Sequence, residues 1–497
     1  MTSPAITKRQ SFQLIAAFLL GAATVLAYAP FNLFLLAPLT LAGLILLWRD
    51  RTAKQSAPIG FAFGMGLFGF GVSWVYVSLH DYGGMHAVLA AIATLLFCAV
   101  LALLPGAAGF VQGKIPATPL KKSVFAVPAL WTLFEWIRGW LFTGFPWLAA
   151  GYSQTPPSPL AGFAPILGVY GVSLLVMVSA GLLASLAKGR WKIPIGALSV
   201  VWLCGYGLRQ IEWTQPVGEP TSVSLAQGNI PQEMKWQPEK IQSTLDLYRE
   251  LVLQSKSRLI VLPETALPLF YHQVPDTYTD ELAAHARTHD GAVLFGVPEY
   301  VAGEDEFYNS VFSADGKQSY RKVHLVPFGE FIPWGFDWAL EILHIPLSDF
   351  SRGSPEQKPL EVAGQKVAVN ICYEDAFGEE IIRQLPEATL LVNASNVAWF
   401  GDSIAPWQHM QMSQMRALET GRYMLRSTNS GLTAIVNERG QVVSHSAPFT
   451  RHVLTGQVQG FAGATPYVRW GNSISLALCA LMLSFGLLSG YRRSHPH

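Results

Sequence analysis

Charge is scarce in this sequence. Only 13% of its 497 residues are Asp, Glu, Lys or Arg, against ~25% in an ordinary soluble protein. Lys and Arg together number 34 and Asp and Glu 33, so the basic excess of a nucleic-acid binder is missing. Cysteine is scarce too: four residues in the whole chain cannot staple a disulfide scaffold. With 51% hydrophobic residues, the chain is too apolar to be disordered. What remains is a membrane protein.

Acid is also unevenly placed. Of the 33 acidic residues, 30 lie between Glu212 and Glu438, and the others are Asp50, Asp81 and Glu135. The pattern predicts a helical membrane region over 1–208, a soluble-like domain over 209–470 and a last span with a tail over 471–497. Runs long enough to cross a bilayer occur at 11–29, 31–48, 58–79, 86–110, 123–141, 163–187, 193–208 and 472–490, eight in all. Lys8 and Arg9, then Arg49, Arg51 and Lys54, Lys114, Lys121 and Lys122, Lys188, Arg190 and Lys192, and Arg492 and Arg493 flank alternate ends of these runs. The loops near Pro30 and over 80–85 and 142–162 carry no Lys or Arg. The positive-inside rule then places both termini in the cytoplasm of a bacterium and 209–470 in the periplasm. Ala27-Tyr28-Ala29 resembles a signal-peptide cleavage site, but its apolar run is longer than a usual signal core, and retention as a span is expected. Glu135 and Arg138, three apart on the fifth run, are expected to pair with each other. Cys98, Cys204 and Cys479 fall within spans and read as packing residues.

The middle block alternates short apolar runs with helical patterns. Strands are expected at Ser222–Ala226, Leu259–Leu262, Ala292–Val297, Val367–Ile371 and Thr389–Asn393, and helices at 238–255, 277–288, 377–384 and 405–419. Sheet layers covered by helices follow. Asp315-Gly316 and Arg439-Gly440 read as hairpin turns.

Cys372 has no cysteine partner in this block, and it closes the apolar run Val367-Ala368-Val369-Asn370-Ile371. Position alone leaves two readings open, an inert buried thiol or a nucleophile. Glu264 ends another run between Pro263 and Pro268, where a carboxylate is costly unless used. Lys322 lies at the edge of a third run and has the charge to hold an oxyanion. Taken singly, Glu264 and Lys322 read more simply as surface ion pairs. His285 and His289, four apart on a helix, have no third ligand and read as an exposed face. No Gly-x-Ser-x-Gly or His-Glu-x-x-His occurs. The aromatic stretch Phe331–Trp338 reads either as a core loop or as a lid at the bilayer interface.

Leu262-Pro263-Glu264-Thr265, Arg321-Lys322-Val323-His324-Leu325-Val326-Pro327-Phe328-Gly329-Glu330 and Ile371-Cys372-Tyr373-Glu374 resemble, in order, the three catalytic motifs of the nitrilase (carbon-nitrogen hydrolase) superfamily. Joined to eight spans, and with Gln227-Gly228-Asn229-Ile230-Pro231-Gln232 and Asn396-Val397-Ala398-Trp399-Phe400-Gly401, the chain is similar throughout to the membrane-embedded apolipoprotein N-acyltransferase family. The resemblance implies an αββα sandwich with Glu264 as base, Lys322 as oxyanion stabiliser and Cys372 as nucleophile. It also points to Trp236, Glu330, Tyr373 and Glu374, with the main-chain N–H of Tyr373 as a second oxyanion donor. Val397 departs from the family, which often has an acidic residue there. The implied reaction moves an acyl chain from a membrane phospholipid to the α-amine of a diacylglyceryl-modified apolipoprotein through a thioester, with no metal or organic cofactor. A membrane-anchored amidase and a lipid-binding scaffold are the alternatives.

Overall fold

Each apolar run predicted to span the membrane is helical over most of its length. The computed structural model describes residues 8–188, 191–333 and 349–494; the aromatic stretch from Trp334 onward lies outside them. The chain divides into two units, one of Met1–Tyr76, Val88–Ile211 and Trp470–His497, the other of Val77–Ala87 and Glu212–Arg469.

In the helical unit, the lengths of the helices differ. Lys8–Ala27, Ala87–Lys114 and Pro159–Ser185 are long and apolar enough to cross a membrane; Ala53–Gly71 and Val75–Tyr82, bent by 57°, add a fourth only if the pair counts as one span. Leu36–Trp48, Lys192–Leu208 and Ser473–Leu487 are apolar but shorter. Leu36–Trp48, at 13 residues, rises ~20 Å against a hydrocarbon core of ~30 Å. Small residues let helix backbones touch: a Cβ on Gly21 would lie 1.9 Å from the Phe63 carbonyl oxygen, and one on Gly66 2.0 Å from that of Phe18.

Two expectations change here. Glu135 and Arg138 are both buried but do not pair. Glu135 accepts from the Trp131 indole at 2.8 Å and the Ala150 N–H at 2.9 Å. Arg138 donates to the carbonyls of Phe145 and Trp147. Each charge satisfies a chain segment that leaves regular helix, where backbone groups lack partners. Cys204 is exposed, whereas Cys98 and Cys479 are buried, so only the latter two pack inside the helical unit.

The other unit is a sandwich of two six-stranded sheets. Its strands are β1 (Gln215–Gln227), β2 (Leu259–Val261), β3 (Ala292–Val301), β4 (Glu306–Ser313), β5 (Ser319–Arg321), β6 (Leu360–Val362), β7 (Gln365–Ile371), β8 (Leu390–Ser395), β9 (Met424–Thr428), β10 (Ala434–Val436), β11 (Val442–His445) and β12 (His452–Ala462). One sheet has the order β12-β1-β2-β3-β4-β5 and the other β11-β10-β9-β8-β7-β6. The central pairs β1–β2, β2–β3, β7–β8 and β8–β9 are parallel. Such strands are covered on both faces, which explains apolar runs such as Leu259–Val261 and the burial of every residue of β8 and β9. Val223, Leu225, Val261 and Leu294 of one sheet meet Val367, Val369, Ile371 and Val392 of the other in a shared core. On the outer face of the first sheet, Leu245, Tyr248 and Leu251 of helix Pro238–Leu253 and Leu282 of helix Asp276–Arg287 cover Ile260 and Phe295. On the outer face of the second, Met410 and Ala417 of helix Ala405–Thr420 cover Ala368 and Leu391. The layering is αββα. The Asp315-Gly316 and Arg439-Gly440 turns join antiparallel strands as hairpins, with Gly316 at φ 70° and Gly440 at φ 74°.

His285 is half-buried rather than on an exposed face. Its Nε2 lies 2.7 Å from the Ser255 carbonyl oxygen, and its ring meets that of His289 edge-on. No cluster suited to a metal ion occurs among the described residues.

Candidate active site

Parallel strands in an α/β sheet end at one edge, and the loops beyond that edge are where sites are built. Glu264 follows β2 on the loop 262–267. The Leu262 N–H reaches the Leu294 carbonyl at 2.8 Å, and Gly296 ties the loop from both sides through Pro263 and Leu267. A Cβ at position 296 would sit 2.4 Å from the Pro263 oxygen and 2.7 Å from Glu264 Cα, so glycine there permits the approach. Lys322 directly follows β5, its N–H bonded to the Asn309 carbonyl of β4 at 2.8 Å. Cys372 directly follows β7 and starts a turn over Cys372–Ala376 with φ 52°. A left-handed conformation costs a non-glycine residue ~1–3 kcal/mol. The surroundings hold it: the Cys372 carbonyl accepts from Asn393 Nδ2 at 3.0 Å and faces His409 Nε2 at 3.1 Å.

These loops bring Glu264, Lys322 and Cys372 together. Lys322 Nζ, buried, lies 3.3 Å from Glu264 Oε1 and 2.8 Å from Glu330 Oε1. The charges of Glu264 and Lys322 both act on the Cys372 thiol. Burial pushes the Cys372 thiol up to about 12, the Glu264 charge adds to this, and Lys322 only partly offsets it. For Glu264, burial favours the neutral acid. The charges of Lys322 and Lys235, with hydrogen bonds from Asn309 and the thiol, outweigh burial and hold the carboxyl below its ordinary value. The resting pair is therefore thiol and carboxylate. Burial disfavours a charged Lys322, but Glu330 and Glu264 more than compensate and keep it an ammonium.

Glu330 thus joins the cluster, and its second oxygen accepts from the Val326 N–H at 2.8 Å. Glu374 stands behind it as a brace. Its carboxylate accepts from the N–H groups of Val323 (2.7 Å) and His324 (3.0 Å), just after Lys322, and of Ile371 (2.7 Å), just before Cys372. The Tyr320 hydroxyl adds a fourth donor at 3.1 Å. One side chain sets the spacing between the two strand ends. Burial pushes its carboxyl up to about 7 against the pull of those backbone donors. Tyr373 is buried, its ring edge-on to Phe377 and His324. Trp236 is half-buried and makes no hydrogen bond to the cluster among the described residues. Val397 is buried against the position that Gly431 leaves open.

Several further residues complete the site without having been singled out in the sequence, although Asn396 opens the run 396–401. Asn309 donates to both Glu264 Oε1 and Glu330 Oε1 at 2.8 Å. The Asn396 N–H donates to Glu264 Oε2 at 2.8 Å. Beneath Cys372, Asp375, His409 and Arg426 form a fully buried network. His409 Nε2 lies 2.6 Å from Asp375 Oδ1, and Arg426 reaches both Asp375 Oδ2 and His409 Nδ1 at 2.9 Å. Because Arg426 only donates, His409 Nδ1 accepts and Nε2 carries the proton. Burial, reinforced by the Arg426 charge, lowers the His409 value and keeps the ring neutral. Arg426 is a fully buried charge in strand β9, a burial that the sequence did not mark.

Residues 20–182 match the family model described as the apolipoprotein N-acyltransferase N-terminal domain, and residues 222–467 match that of the carbon-nitrogen hydrolases. An apolipoprotein N-acyltransferase of Nitrosomonas europaea is 57% identical over 97% of this chain and 98% of its own length. One from Chromobacterium violaceum is 46% identical over 97% and 95%. A carbon-nitrogen hydrolase structure from Helicobacter pylori G27 is 15% identical, with TM-score 0.37, over 54% of this chain and 94% of its own. With a nitrilase-like fold, a helical membrane region and near full-length identity to these relatives, the chain belongs to the apolipoprotein N-acyltransferase family.

Proposed function

We propose that this chain transfers an acyl chain from a membrane phospholipid to the N-terminal α-amine of a diacylglyceryl-cysteine on an apolipoprotein. The observation that carries the reading is the convergence of Glu264, Lys322 and Cys372 at one edge of the sandwich. As the Cys372 sulfur attacks the ester carbonyl, its proton passes to Glu264. The oxyanion is held by the Lys322 ammonium, which the paired carboxylates keep charged, and by the main chain at Tyr373. Glu264 then protonates the departing lysophospholipid, leaving a thioester on Cys372. The α-amine attacks that thioester to give an amide. An amidase differs in using water as the second substrate. Intact-protein mass spectrometry after incubation with phospholipid alone should show a gain of one acyl group, discharged when a diacylglyceryl-cysteine peptide is added. Discharge at the same rate without the peptide would favour the amidase.

The membrane arrangement belongs to the same proposal: eight crossings of the bacterial inner membrane, both termini cytoplasmic, and 209–470 periplasmic as the catalytic domain. Loop charge supports it, together with the helical state of all eight apolar runs. A reporter active only outside the cytoplasm, inserted at Gly316 in the exposed hairpin turn, should be active; silence there with activity at the C-terminus would reverse the orientation.

A further inference from the structure

We propose that Lys235 is the base that removes the proton from the acceptor's α-ammonium when the thioester is discharged, an inference that rests on the acyl-enzyme reading above. Lys235 ends the turn over Gln232–Met234 and is buried. Its Nζ donates to the main-chain oxygen of Glu264 at 3.2 Å. Among the described residues no carboxylate oxygen comes within ion-pair distance of it. That bond sets it against the loop that carries Glu264, and the charges of Glu264 and Cys372 act on it.

The cluster therefore holds two buried lysines in opposite settings. Lys322 lies between two carboxylates and stays charged. Lys235 has a carbonyl as its hydrogen-bond partner. Burial pulls its ammonium down to about 8, and the charges of Glu264 and Cys372 do not make up the difference. An α-amine titrates at ~7.7–8.0, so the proton passes between two groups of similar basicity, where general-base catalysis is most effective. Glu264, held below the ordinary carboxylate range, matches an ammonium poorly.

The step balances. Lys235, deprotonated to water beforehand, takes one proton from the acceptor ammonium. The freed lone pair forms the C–N bond to the thioester carbonyl carbon. The C–S bond breaks, and its electron pair leaves on Cys372. The remaining excess proton on the new amide nitrogen passes through Glu264 to the thiolate, and Lys235 releases its proton to water before the next turnover.

The test separates the two half-reactions in full-length protein. Wild type, Lys235→Arg and Lys235→Met are loaded with phospholipid, freed of donor, then mixed with a diacylglyceryl-cysteine peptide or with hydroxylamine, a nucleophile already neutral at pH 7. The peptide-transfer rate relative to loading should fall ~10²-fold or more in both variants. Hydroxylamine discharge should change far less, and raising the pH toward 9 should recover transfer as the peptide amine deprotonates on its own. Lys235→Arg keeps the charge but cannot serve as a base. Transfer by that variant at the wild-type rate would overturn the proposal, as would an equal loss of hydroxylamine discharge or a failure of both variants to load. Failure of wild type to load would instead overturn the acyl-enzyme reading.

Discussion

Cys372→Ala should abolish acyl loading while leaving the protein folded. Position 372 is held at φ 52° by partners of its main chain, Asn393 and His409 acting on its carbonyl. Alanine keeps that backbone and loses only the partly exposed sulfur. The thermal midpoint should stay close to wild type, and the mass of the variant should not rise with phospholipid. Cys372→Ser should leave little activity. An alcohol has a higher proton affinity than a thiol already pushed up to about 12, and a carboxylate held below its ordinary range is a weak base for it. The thioester in wild type should be released by neutral hydroxylamine. A mass gain of one acyl group in Cys372→Ala equal to that in wild type would mean that another group is loaded, and the scaffold reading would gain.

Lys322→Met should reduce loading by ~10²–10³-fold, the cost of one oxyanion donor, and should also destabilise the protein. The ammonium lies between Glu264 and Glu330, whose Oε1 atoms both accept from Asn309 at 2.8 Å. Without it, the two Oε1 atoms share one neutral donor, Asn309, and breaking a buried ion pair costs ~3–5 kcal/mol. The pH dependence has a definite sign. The folded-state value of Glu264 lies below its ordinary value, so its contribution is present above the ordinary carboxylate value and is lost as pH falls through the depressed one. The stability gap between wild type and Lys322→Met should therefore be widest at neutral pH and narrow under acid. Adding Glu330→Gln removes one of the stranded charges. The double variant should regain stability but not loading, as denaturant unfolding and mass spectrometry would show. Recovery of loading in the double variant would mean that Lys322 only balances charge.

Composition and pattern by themselves determined the division into an apolar helical region and an acid-bearing block. They pointed to five central strands, β1, β2, β3, β7 and β8, because parallel strands covered on both faces are mostly apolar, as Leu259–Val261 is. Motif order brought Glu264, Lys322 and Cys372 to notice, each at the end of such a run. Tertiary structure alone decided the rest. Helix length is set by where packing and chain breaks end a helix, so the apolar run 31–48 yields a helix of 13 residues. Glu135 and Arg138 meet the i,i+3 spacing for a pair, yet each turns to backbone of the segment that follows their helix. Asn309 and Lys235 lie outside the motifs, and Asn396 opens one without standing out from it; all three carry ordinary polar side chains. What makes them part of the site is burial beside a carboxylate, and burial is a property of the folded sandwich, in which low polarity raises the cost of every unpaired charge and the value of every donor placed to meet one.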